Sequence, residues 1–152
     1  MFQRHLSDYP MHNLHETIKD FHNTPKRLDT LKKSIEADVK GRASSVEAEI
    51  KFALDRTEDA KYVLDLHKKG LIPLRVTHND TKLNNILFDM DTNEGICVID
   101  LDTIMPGLSL YDFGDAIRFG GNTTYEDDEN LDNVKISVEL FECFARGFLS
   151  SC

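Results

Sequence analysis

Near Gly70 the chain changes period, and that change limits the folds open to it. Before Gly70, apolar residues recur at helical spacing: Leu28, Leu31, Ile35 and Val39 follow Thr24-Pro25, and Val46, Ile50, Ala53, Leu54, Val63, Leu64 and Leu66 follow Ser44-Ser45. Thr24 is the expected N-cap, with Pro25 in the first turn and Gly41 as the stop. The second stretch reads as one long helix, or as two broken near Thr57, ending at Gly70 before Pro73. Beyond it, RVTHND is extended, NILFD is short and apolar, DTNEG is turn-forming and ICVID is rich in β-branched residues, which predicts a small hairpin leaving a polar loop. Pro106-Gly107 predicts a bend, DFGDAIRF a short helix, and VKISVELFECFARGFLSS a helix to the end. The expected fold class is α+β, mainly α, with residues 1–152 read as one unit.

Composition removes several function classes. A formal charge of −9, with no basic pair extending into a patch, argues against nucleic acid as a partner. No apolar run approaches the roughly 18 residues of a membrane span, and the N-terminus has no secretory apolar segment, so the expectation is no membrane partner and a cytoplasmic protein. Cys97, Cys143 and Cys152 have no metal-ligand spacing and read as reduced thiols. The acidic run Glu126-Asp127-Asp128-Glu129 reads as a solvated loop.

The chemistry concentrates between residues 78 and 102. Asp80 stands five residues before Asn85, and Asp100 follows at the end of the apolar run after the hairpin turn. A carboxylate, an amide and a second carboxylate so placed suit phosphoryl transfer. Asp80 would orient an acceptor hydroxyl and take its proton, Asn85 and Asp100 would offer hard oxygens to Mg²⁺ bound with ATP, and Lys82 would neutralise phosphate charge. Asp102 is a further candidate for the metal or its water shell, His78 reads as structural support, and Asn79 and Asn84 read as turn residues.

These residues carry a resemblance. His78-x-Asp80-x-Lys82-x-x-Asn85-Ile86-Leu87, followed by Val98-Ile99-Asp100, resembles the catalytic loop and metal strand of kinase-like phosphotransferases. The strand reads Ile-Asp-Leu-Asp where protein kinases carry Asp-Phe-Gly, and no Ala-Pro-Glu follows, so the aminoglycoside phosphotransferase and choline kinase group fits better. From THNDTKLNNILF through VIDLDTIMPGLSLYDFGDAIRFGGN the chain looks most like bacterial N-acetylhexosamine 1-kinases. The resemblance implies ATP as co-substrate, Mg²⁺ as cofactor, and a small hydroxylated acceptor, an amino sugar phosphorylated at its anomeric hydroxyl. Aminoglycoside, homoserine or choline acceptors are the alternatives.

The Asp112-Phe113-Gly114 triplet is not the metal site on this reading, because Asp100 already closes the hairpin. Asp112 is expected to cap the next helix, and the resemblance implies that its carboxylate also holds the catalytic-loop backbone.

Members of this superfamily enclose ATP between a β-rich lobe and a helical lobe, and only Gly41 and Gly70 occur in the first 70 positions. The chain is therefore expected to be part of the larger, C-terminal lobe, with the N-terminal nucleotide-binding lobe absent. Alone it would be nearly inactive, a non-catalytic binding fragment being the alternative, and faces left exposed would favour self-association. Two rivals fail on residues. A dehalogenase-like Asp-x-Asp-x-Thr motif finds Ile104 where Thr or Val is required, and a sulfatase nucleophile would need proline two residues after a cysteine.

Overall fold

The computed structural model describes residues 2–125 and 127–150. Glu126 of the acidic run and Cys152 lie outside the described residues. The described α-helices and β-strands are, in order, α1 (Phe2–His5), α2 (Thr24–Ala37), α3 (Glu47–Asp55), α4 (Thr57–Lys68), β1 (Arg75–Thr77), β2 (Ile86–Phe88), β3 (Gly95–Val98), β4 (Met105–Gly107), α5 (Ser109–Gly120) and α6 (Val138–Leu149). This is a mixed α+β fold, mainly helical. No helix among the described residues is long and apolar enough to cross a membrane. The contacts of the chain divide it into two compact units: Lys19–Pro73, and the residues before and after that segment.

The unit Lys19–Pro73 is helical for the reasons its periodicity gives, with shifted ends. Asn23, rather than Thr24, caps α2, its Oδ1 accepting the Lys26 N–H at 3.1 Å. The helix stops at Ala37, short of Gly41, because Asp38 turns left-handed at φ 31° and its carboxylate then accepts the Arg42 and Ala43 N–H groups. The second stretch is two helices. Arg56 leaves helical geometry between α3 and α4, and its guanidinium lies 3.4 Å over the Phe52 ring. At the end of α4, Gly70 adopts φ 72° and the Leu71 N–H reaches back to the Leu66 carbonyl at 3.0 Å, a Schellman closure that favours glycine at that position.

In the other unit, β2 and β3 form the predicted antiparallel hairpin, with Ile86 opposite Val98 and Leu87 opposite Cys97. Asp89 closes its turn by accepting the Asp91 and Thr92 N–H groups. Pro106-Gly107 is not a bend. It lies in β4, antiparallel to β1, with Arg75 opposite Gly107 and Thr77 opposite Met105. A two-stranded ladder has only edge strands, so the missing proline N–H is tolerated. α6 begins at Val138, later than expected, because Ile136 bridges Asn122 and Ser137 caps the helix through the Leu140 N–H. α5 and α6 pack through Phe113 against Phe141 and Phe148, with ring centroids 6.2 and 5.1 Å apart.

The most buried part of the described chain is largely polar. Val76, Met105 and Leu108 are its fully buried apolar residues, and beside them lie Thr77, His78, Asn79, Asn85 and Asp112. Buried polar groups are tolerable only when hydrogen-bonded, and no buried side-chain nitrogen or oxygen among the described residues lacks a partner. The sheets and helices of this unit thus enclose a polar network rather than an apolar core.

Candidate active site

Strand β1 delivers residues 78–82 into the loop, and the buried network fixes that loop one amide at a time. The His78 and Asn79 N–H groups donate to the two oxygens of Asp112 at 3.1 and 2.8 Å, and Gln3 donates to the same carboxylate at 2.7 Å. Asp112 is not the N-cap of α5. The helix starts at Ser109, and Asp112 projects from its first turn. Burial pushes its carboxyl above the ordinary carboxylate range, opposed by the donors from Asn79, His78 and Gln3.

His78, 2% exposed, bonds through Nε2 to the Ile99 carbonyl at 3.1 Å, so Nε2 carries the hydrogen. Its Nδ1 is then an acceptor and takes the Asp80 N–H at 3.4 Å. Asn79 adopts φ 70°, a conformation asparagine enters more readily than most residues. Its amide group donates to the Thr77 and Thr103 carbonyls, while the Thr103 hydroxyl donates to the His78 carbonyl at 2.7 Å. Asn79 is therefore a buried brace between β1 and the segment after β3, more than the turn residue its type suggested.

Asp80 and Asn85 meet directly. The Asn85 amide group donates to the Asp80 carbonyl at 2.7 Å and to its Oδ2 at 2.9 Å, which turns the Asn85 carboxamide oxygen away from Asp80. Lys82 Nζ stands 3.3 Å from Asp80 Oδ1. The hairpin supplies the third group: Asn85 immediately precedes β2, and the Ile99 N–H donates to the Asn85 carbonyl at 2.9 Å, so Asp100 lies at the same end of the ladder.

Asp100 adopts φ 61°, ψ 61°. Its carboxyl is held above the ordinary range first by a hydrogen bond with Asp102, then by the charge of Asp102, by desolvation and by the charge of Asp80, with Lys82 pulling the other way. Carboxylates thus gather here in excess of their nearby cation. Among the described residues no three His, Cys, Asp or Glu side chains are placed to hold a metal by themselves.

A family model described as the phosphotransferase enzyme family (APH) matches residues 11–135, spanning the loop, the hairpin and α5. The chain belongs to this family. Kinase-type transfer from ATP with Mg²⁺ is the chemistry the family suggests, and the matched residues include the loop where Asp80, Lys82 and Asn85 meet. The structure brings Asp80, Lys82 and Asn85 together, sets Asp100 and Asp102 side by side at the hairpin end, and keeps Asp112 beneath the loop backbone.

Sequence reasoning missed Thr81, Thr103 and Asp115. Asp115 Oδ2 accepts the Thr81 N–H at 2.7 Å, and the Thr81 hydroxyl donates to the Asp112 carbonyl at 2.7 Å. The one trace of Asp115 in the sequence is its place three residues after Asp112, on the same face of a helix.

Proposed function

We propose that this chain supplies the catalytic-loop and metal half of an ATP- and Mg²⁺-dependent small-molecule kinase, with Asp80 as the base. The observation that carries the reading is the double hydrogen bond from Asn85 to Asp80 combined with the return of Asp100 to Asn85 along the β2–β3 ladder. It joins a base to two oxygen donors of the kind Mg²⁺ prefers.

The donor set fits the ion. Asp102 and Asp80 raise the cost of ionising Asp100, which is the electrostatic condition a divalent cation relieves. Asn85 and Asp100 would hold Mg²⁺, with Asp102 beside them. When bound, the ion neutralises charge on the nucleotide phosphates. Asp80 orients the acceptor hydroxyl and takes its proton, and the Asn85 amide holds the carboxylate for that task. Lys82, one-third exposed, offsets the Asp80 charge and would meet an incoming phosphoryl group. His78 and Asp112 support the loop without touching substrate.

Asp80, Lys82 and Asn85 line a cavity of 170 Å³ together with the supporting His78 and Asp112, while Asp100 and Asp102 lie outside its lining. We assign the acceptor to the N-acetylated hexosamines, phosphorylated at the anomeric hydroxyl, on the resemblance of residues 77–122. The enzyme carrying both lobes, assayed with ATP and Mg²⁺ against amino sugars, amino alcohols and aminoglycosides, should give a sugar 1-phosphate detectable by ³¹P NMR. Transfer only to an aminoglycoside or amino alcohol would move the acceptor class. No transfer to any of them would overturn the kinase reading.

A further inference from the structure

We infer that Asp115 is a positioning residue for the reacting groups, acting on Asp80 and Asn85 through the single peptide unit between Asp80 and Thr81. The inference rests on the phosphotransferase reading of the site.

The peptide joining Asp80 to Thr81 is planar and carries one acceptor and one donor on opposite edges. Its carbonyl accepts the Asn85 amide group at 2.7 Å, and its N–H donates to Asp115 Oδ2 at 2.7 Å. Rotation of that plane breaks one of the two bonds. The Asp80 Cα is one end of the plane, so the plane sets the direction in which the base projects. The same Asn85 amide group also binds Asp80 Oδ2, so the plane sets the carboxamide direction too. A single clamp therefore governs both the base and the oxygen assigned to the metal.

Asp112 and Asp115 divide the loop between them. Asp112 takes the amides of residues 78 and 79, ahead of the base, and Asp115 takes the amide of residue 81, behind it. The remaining amide, that of Asp80, goes to His78 Nδ1. Four consecutive amides are thus each committed to an acceptor, and only the Asp115 bond lies on the peptide that Asp80 and Asn85 share. Asp115 is itself held: its side chain is 13% exposed, and Arg118 pairs with its other oxygen at 3.1 Å, which leaves Oδ2 facing Thr81. A hydrogen bond to a charged acceptor is about twice as strong as a neutral one.

The test uses the enzyme carrying both lobes. Asp115→Ala should lower kcat by about 10- to 100-fold, the scale of a 1 Å misplacement, while KM for ATP and acceptor stay near wild type. Asp115→Asn, which keeps an oxygen for the Thr81 N–H, should recover most of the turnover. Independently of activity, hydrogen exchange at the Thr81 amide should accelerate in Asp115→Ala, while the His78 and Asn79 amides on Asp112 keep their protection. An active wild type whose Asp115→Ala variant turns over at an unchanged rate would overturn this inference alone. A wild type that transfers no phosphoryl group would overturn the kinase reading, and the catalytic part of the inference with it. If Asp115→Ala does not fold, Asp115→Ser reads the same split. Failure of both to fold would make Asp115 a residue of stability and overturn its positioning role.

Discussion

Asn85 donates to Asp80 twice from one amide group, at 2.7 Å to the backbone carbonyl and at 2.9 Å to the carboxylate. The amide thereby does what a carboxylate at that position could not. Asn85→Asp keeps oxygen atoms for a metal but replaces both donors with a negative charge facing Asp80. We expect turnover in the enzyme carrying both lobes to fall by about 10²-fold or more, the scale of a misplaced catalytic group. Steady-state kinetics at saturating Mg²⁺ checks this, and turnover close to wild type would show that the amide donors are dispensable.

Asp112 anchors the loop, and its removal should be read in stability. Asp112→Ala strands two buried amide donors, each costing about 1–3 kcal/mol, so the loss should reach several kcal/mol by urea denaturation. Asp112→Asn keeps one acceptor oxygen and should lose less. Equal losses in the two variants would mean that shape at this position matters and the acceptors do not.

The same carboxyl predicts the direction of a pH effect. Burial raises its folded-state pKa above the unfolded value of about 3.9, so the folded state binds the proton more tightly. Its titration thus favours the fold at pH values below the unfolded pKa, and that advantage is lost as pH rises through the raised folded value. The stability of wild type relative to Asp112→Asn should decline across this window and level off above it. A relative stability that rises there would contradict the assignment.

Gly107 is required by close approach. A Cβ at this position would stand 2.2 Å from the Thr77 hydroxyl oxygen, and that oxygen is fully buried and bonded to the Met105 carbonyl. Gly107→Ala should destabilise by about 1–3 kcal/mol, the range of overpacked cores. Combined with Thr77→Ala, it should cost less than the sum of the two single changes, because the clashing atom is gone. Strict additivity in denaturation would show that the clash is relieved in another way.

The β2–β3 hairpin was legible in the sequence, for a local reason. A polar loop, two short apolar runs and a turn-forming DTNEG between them fix an antiparallel pairing, and the pairing returns Asp100 to Asn85. The helical face patterns up to Gly70 were legible on the same ground, although the caps shifted where Asn23 and Asp38 competed for backbone groups. The supports beneath the loop were less visible. Asp112 with Asn79, Asn79 with Thr103 and Asp115 with Thr81 join residues 33, 24 and 34 positions apart, and such partners leave no periodic trace. Pro106-Gly107 carried a bend signal that its place in a two-stranded ladder overrode.

On the proposed reading Asp80 is the base and not a nucleotide contact. In the enzyme carrying both lobes, Asp80→Asn keeps the side-chain shape and removes the basic oxygen. Turnover should fall by orders of magnitude while Mg-ATP binding, measured by calorimetry, stays close to wild type. If instead kcat is retained and only the Michaelis constant for ATP rises, Asp80 binds nucleotide and the assignment of the base is wrong.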